Sequence, residues 1–98
     1  MAYNIVIKQP SLDDTREAYD YYENLSVGLG NRFLENAEAA YKSLSLYPSN
    51  SGFIDDKKIL RDKIVAVFPF TIVYKIEEKN VIIIAVHHCY KHPDKRYR

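Results

Sequence analysis

The sequence predicts an α+β fold of order β-α-α-β-β-β, a helix hairpin covering one face of a mostly antiparallel sheet of about four strands. Three observations carry this. The chain opens on an alternating strand pattern. Two amphipathic stretches follow, separated only by Ser26-Val27-Gly28. Three strand-like runs joined by short turns then close the chain, the last of them almost wholly apolar. Helices gathered on one face of a sheet satisfy such an order, because both kinds of element bury their apolar sides against each other.

In Tyr3 to Lys8, Tyr3, Ile5 and Ile7 alternate with Asn4, Val6 and Lys8, the period of a half-buried strand, and Pro10 ends it. Ser11 offers a helix N-cap, with Asp13 and Asp14 in the first turn at the positive end of the helix dipole. Ala18, Tyr21, Tyr22 and Leu25 share one helical face, and Gly28 suits a left-handed cap. The second helix runs from near Leu29 to about Leu46, with Phe33, Ala37, Ala40, Tyr41 and Leu44 repeating at helical spacing, and Pro48 stops it. These faces predict that Ala18, Tyr22, Leu25, Phe33, Ala37, Tyr41 and Leu44 pack toward the sheet.

Ser49 to Asp56 is rich in turn residues and reads as a connecting loop. Leu60 to Val67 and Phe70 to Glu77 read as strands separated by a turn at Phe68-Pro69, and Glu78-Lys79-Asn80 as a tight turn. Val81 to His88 is so apolar that it predicts a central strand buried on both faces. The last ten residues read as irregular.

At 98 residues the chain is read as a single domain, 1–98. A composition 47% hydrophobic and 28% charged excludes intrinsic disorder. The lone Cys89 permits no intrachain disulfide and suits a reducing compartment; a cytoplasmic location is expected. No signal-peptide pattern opens the chain, and the apolar run Val81 to Val86 is too short to span a membrane. Residues 1–56 carry four basic and nine acidic side chains, net −5, whereas residues 57–98 carry ten and four, net +6. The second half is therefore expected to form a basic face. There is no glycine-rich phosphate loop and no G-x-S-x-G. Cys89 lies near His87, His88 and His92, but close spacing at a strand end aims these side chains to different faces; neither a metal nor a cofactor is expected.

The segment His87 to Arg98 gathers cationic and titratable side chains with Tyr90 and Tyr97 between them. Cations with aromatic rings grip phosphates and stack bases, and a histidine titrates near neutrality. Nine tyrosines, among them Tyr19, Tyr21, Tyr22, Tyr41 and Tyr47 along the two helices, fit either amphipathic packing or a protein-binding surface.

The string Gly28-Leu29-Gly30-Asn31-Arg32-Phe33, Pro48, Leu60-Arg61, the string Phe68 to Ile76, Ala85-Val86-His87-His88 and Lys91-x-Pro93 together resemble the RelE/ParE superfamily of toxins from type II toxin–antitoxin systems, including plasmid stabilisation proteins. The resemblance covers nearly the whole chain. It implies a helix hairpin on a curved antiparallel sheet, and a growth inhibitor neutralised by a co-encoded antitoxin. RelE-like members cleave mRNA in the ribosomal A site; ParE-like members inhibit DNA gyrase. Where RelE-like nucleases usually carry an arginine, two residues before Val73, this chain has Thr71. His88 and Lys91-x-Pro93 stand where ParE-like members often carry histidine and arginine-x-proline, which favours the ParE-like side.

Three readings follow. A binding toxin acting on a protein such as gyrase would use Tyr19, Tyr22, Arg32, Lys95 and Arg96 for recognition. A ribosome-dependent nuclease would use Arg61 and Lys63 as phosphate-facing cations, His88 or Tyr90 as acid or base, and Lys91, on strands that neighbour each other. A solitary, non-toxic member would keep only the fold. The expected partner is the cognate antitoxin, with gyrase or ribosome-bound mRNA as target, no membrane, and either a homodimer or a hetero-oligomer with the antitoxin.

Overall fold

The computed structural model describes residues 2–88. Its elements are β1 (Asn4–Ile7), α1 (Gln9–Leu25), α2 (Leu29–Leu46), a 3-10 turn (Pro48–Asn50), β2 (Leu60–Ile64), β3 (Phe70–Glu77) and β4 (Asn80–His88). The sheet order is β1-β4-β3-β2. β1 runs parallel to β4, and the other pairs are antiparallel. A parallel pair needs a crossover connection, and the helix hairpin supplies it. β4 is therefore an inner strand, as its apolar run predicts. Among the described residues no helix is long and apolar enough to cross a membrane.

The core lies between the hairpin and one sheet face. Phe33 is 0% exposed and sits among the rings of Tyr22, Phe68 and Phe70, with centroids 5.1–5.6 Å away. Ala37, Ala40 and Leu44 continue its stripe along α2, and Ile72, Tyr74, Val81, Ile83 and Val86 meet the hairpin from the sheet. Ala18 and Tyr22 are buried from α1, and half-buried Tyr41 packs against the same cluster. Leu25 departs from its expected place: it is 61% exposed, because it ends α1 one turn beyond Tyr22, past the aromatic cluster. Tyr21, on the flank of that face, is also exposed.

Local signals at the start of α1 resolve differently from their reading in sequence. Lys8 is the N-cap, and Pro10 is the second residue of the helix, within the first turn, where a missing N–H costs nothing. Ser11 is fully buried inside the helix, and its hydroxyl donates to the Ile83 carbonyl at 3.1 Å. The Asp14 carboxylate accepts the Val86 N–H at 3.0 Å rather than serving the helix dipole. Beyond the end of β1, then, α1 itself meets the flank of β4.

β2 is shorter than its pattern suggests. The Val65 N–H returns to the Phe70 carbonyl and the Phe70 N–H to the Phe68 carbonyl, both at 2.8 Å, so the chain turns tightly at Pro69. The β3–β4 loop contains only Glu78 and Lys79, and Asn80 already pairs with Glu77. The register of β4 jumps opposite Val73/Tyr74, leaving Ile84 as the extra residue of a β-bulge. Ile84, Ala85 and His87 are only half-buried, so the expected double-sided burial of β4 holds for Val81 to Ile83 and not along its whole length.

Glu23 fixes the hairpin. Its carboxylate accepts the N–H groups of Gly28 at 2.9 Å and Gly30 at 3.0 Å, at the positive end of α2. Gly28 adopts φ +90, which a side chain would strain. A Cβ on Gly30 would lie 2.8 Å from the Tyr19 ring and from the Tyr19 carbonyl oxygen, so the helices meet there in direct contact. Glu23→Ala leaves both amides without this acceptor and is expected to cost about 1–2 kcal/mol, the upper range for a lost helix cap. Urea unfolding of the variant beside wild type checks it; an unchanged midpoint would contradict the clamp.

Candidate functional site

The described residues proposed for phosphate chemistry fall on two strands, β2 and β4, with β3 between them. Arg61 lies opposite Tyr74 on β3, Lys63 opposite Ile72, and His88 opposite Phe70. All three point to the helix-bearing face. β3 separates β2 from β4, so the expected neighbouring of these strands does not occur. With strands ~4.8 Å apart and ~3.3 Å per residue, Arg61 and His88 stand roughly 16 Å apart along the sheet. At that backbone spacing the two side chains meet only if both reach toward each other across β3. Tyr90, Lys91, Lys95 and Arg96, like Cys89, lie outside the described residues.

Arg61 is already engaged. Its guanidinium donates to the Ser51 carbonyl at 2.5 Å and the Ser49 carbonyl at 3.3 Å, and stacks 3.9 Å over the Phe53 ring. Next to it the buried Tyr74 hydroxyl donates to the Pro48 carbonyl at 2.6 Å. Together they bind the loop that follows α2 to the sheet. Burial raises the Tyr74 pKa, and Asp62 adds to this, against the lowering influence of Ser51 and Arg61. These are the contacts of a structural strut.

Thr71 stands on the other face of the sheet. It is fully buried, with its hydroxyl 3.2 Å from an Asp62 carboxylate oxygen and 3.4 Å from the Lys63 carbonyl. A neutral side chain beside a carboxylate thus stands where the resemblance to RelE-like nucleases implies an arginine. Lys63 borders a shallow cleft of about 170 Å³ between α2 and β2, lined also by Asn36, Ala39, Ala40, Ser43 and Ile64. The His88 ring stands edge-on to Phe70, centroids 5.1 Å apart. Among the described residues no three His, Cys, Asp or Glu side chains converge as metal ligands.

Two of the residues expected to recognise a protein are occupied in packing. Tyr22 is 8% exposed within the aromatic core, so it does not present a recognition surface; Tyr19 is half-buried beneath Gly30. Arg32 is exposed on α2. The apolar surface sequence reasoning overlooked lies at the far end of the hairpin, where Val27 is 93% exposed beside Leu25 and Tyr21. Its signal was available: an apolar residue inside the inter-helix turn has no core to enter.

No curated protein matches the sequence. Among solved structures, a chain of the chromosomal ParDE toxin–antitoxin system from P. aeruginosa has a TM-score of 0.76 at 15% identity, covering 89% of this chain and 96% of that one. A free-state mutant of the E. coli toxin RelE scores 0.68 at 18% identity, covering 92% and 86%. The RelBE2 toxin–antitoxin complex from Mycobacterium tuberculosis scores 0.60 at 16% identity, covering 90% and 99%. At these identities the likeness is one of fold. The sequence itself matches a family over residues 5–92, nearly the whole chain. By that match, and with a hairpin-on-sheet fold to agree, the chain belongs to the ParE toxins of type II, parDE toxin–antitoxin systems.

Proposed function

We propose that this chain inhibits growth by binding a protein target, with DNA gyrase the target its ParE-like character implies, and that a co-encoded antitoxin neutralises it. The engagement of the Arg61 guanidinium by Ser49, Ser51 and Phe53 carries this reading. A metal-independent RNase must neutralise charge on the phosphorane with cations that reach it together. Here one such cation supports a loop and another lies two strands away from His88. Arg32 is exposed and is assigned to recognition of the target, together with Lys95 and Arg96, which lie outside the described residues.

Purified protein is expected to slow gyrase supercoiling of relaxed plasmid while leaving ribosome-bound mRNA uncut. Inhibition should survive His88→Ala. Codon-dependent cleavage on ribosomes that falls by at least ~100-fold in His88→Ala, the low end of a general acid–base contribution, would overturn the reading in favour of a nuclease.

A further inference from the structure

The turn that follows β2 carries a residue that its backbone does not suit. Among the described residues three that are not glycine adopt positive φ, and two of them, Lys58 and Glu78, are polar and exposed. The third is Val67, at φ +75. A β-branched side chain is rarely found there, because its Cβ crowds its own backbone. The two main-chain bonds that close the turn at Pro69, and the burial of Val65 and Phe68 to either side, hold Val67 in that conformation. Burial of its own side chain does not offset the strain: Val67 is 81% exposed, and Ala66 beside it is exposed as well. Glycine or asparagine would fit this backbone with less strain. Strain that neighbours impose and the core does not use is characteristic of contact surfaces.

The surroundings of the turn select what it meets. Phe68 packs on Phe33 with ring centroids 5.4 Å apart, which sets the turn beside the first turns of α2. There the cleft between α2 and β2 opens, with Ala66 at its rim. Its lining holds one cation, the half-buried Lys63, and the polar tips of Asn36 and Ser43. Exposed Arg32 stands one helical turn before Asn36 and extends the same row of α2; the Asn36 amide donates to the Arg32 carbonyl at 2.9 Å. The exposed carboxylates of α2, Glu35 and Glu38, lie off this row. Among the described residues neither Lys63 nor Arg32 has an ion-pair partner. Two such cations beside an exposed valine complement a surface that carries carboxylates around an apolar hollow. We infer that this turn and cleft form the surface that docks on the protein target, with Val67 entering an apolar hollow in an acidic face of that protein and Lys63 and Arg32 meeting its carboxylates. A second copy of this chain fits less well, because a twofold contact would set the same cations against each other. The assignment rests on the binding-toxin reading above.

Val67→Asn separates docking from folding, with purified DNA gyrase as the probe. Asparagine tolerates the left-handed conformation, so the urea midpoint of the variant should rise. The amount of protein that halves gyrase supercoiling should nevertheless increase about tenfold or more, the scale of a lost interface anchor. Lys63→Glu should weaken inhibition about tenfold at low salt, a gap that closes as salt rises. If wild type inhibits gyrase and both variants inhibit it equally well, the docking surface is overturned and the binding-toxin reading stands. If those variants have also lost the product of the adjacent reading frame, the occupant is the antitoxin and not the target. A lower urea midpoint in Val67→Asn, with inhibition lost in proportion, would make Val67 a residue of the fold and likewise overturn the assignment. A wild-type chain that leaves gyrase unaffected overturns the reading itself, and the surface with it.

Discussion

Phe33→Ala is expected to destabilise the fold by about 3–5 kcal/mol, the usual cost of emptying a buried aromatic site. The ring is wholly enclosed and contacts Tyr22, Phe68 and Phe70, which come from α1, the turn after β2, and β3. Deleting it leaves a cavity where those three elements meet, and none of the remaining rings can fill it without leaving its own place. Domains are stable by only about 5–15 kcal/mol, so the variant would stand near the edge of unfolding. Urea denaturation gives the value directly. A loss below about 1 kcal/mol would mean that the aromatic cluster does not organise the core.

Stability should also fall steeply in alkali. Burial raises the phenol pKa of Tyr74, Tyr41 and Tyr22 above the ordinary 10.0. Asp14 adds to the effect at Tyr41, against a lowering hydrogen bond with Thr15, and Tyr21 adds to it at Tyr22. In the unfolded chain these phenols ionise near 10. Above that pH the unfolded state holds fewer protons than the folded one, and folding weakens as pH rises. The stabilisation is complete below the unfolded pKa and is lost as pH climbs through the raised folded values. Each tyrosine contributes up to ~1.4 kcal/mol per pH unit in this window. Urea unfolding repeated between about pH 9 and pH 11 measures the slope. Tyr74→Phe should flatten it by one tyrosine's share, and a stability that stays level across the range would contradict the burial of these hydroxyls.

The legible parts of the fold were those written as repeats. Phe33, Ala37, Ala40 and Leu44 recur at helical spacing over three turns, and such a stripe has only one way to be buried. The apolar run of β4 likewise demanded strands on both sides. Residues whose role depends on a distant partner were not legible. Ser11 and Asp14 have the chemistry of helix caps, yet their partners are main-chain groups of Ile83 and Val86, some seventy residues away. Arg61 reads as a free cation until the carbonyls of Ser49 and Ser51 are placed beside it. Tyr22 and Tyr21 are adjacent in sequence, and only the direction of α1 decides which enters the core and which faces water. Motif order located the family; the occupation of its would-be catalytic arginine required the fold.

The pairing of β1 with β4 joins Asn4 to Asn80, so the earliest strand to be synthesised depends on one of the latest. The β3–β4 hairpin, with its two-residue loop, can form in about 1–10 μs once both strands exist. β1 has no such local partner. At about 5–20 residues per second, a ribosome holds Asn4 to Ile7 unpaired for roughly 4–16 s before their partners are made. Contacts this distant along the chain slow folding, because the intervening loop must close before they return any energy. β1 therefore joins last, and its apolar residues stay exposed until it does. A nascent chain halted before Val81 contains the whole helix hairpin and β3 but lacks β4, the strand with which both β1 and α1 make their contacts in the sheet.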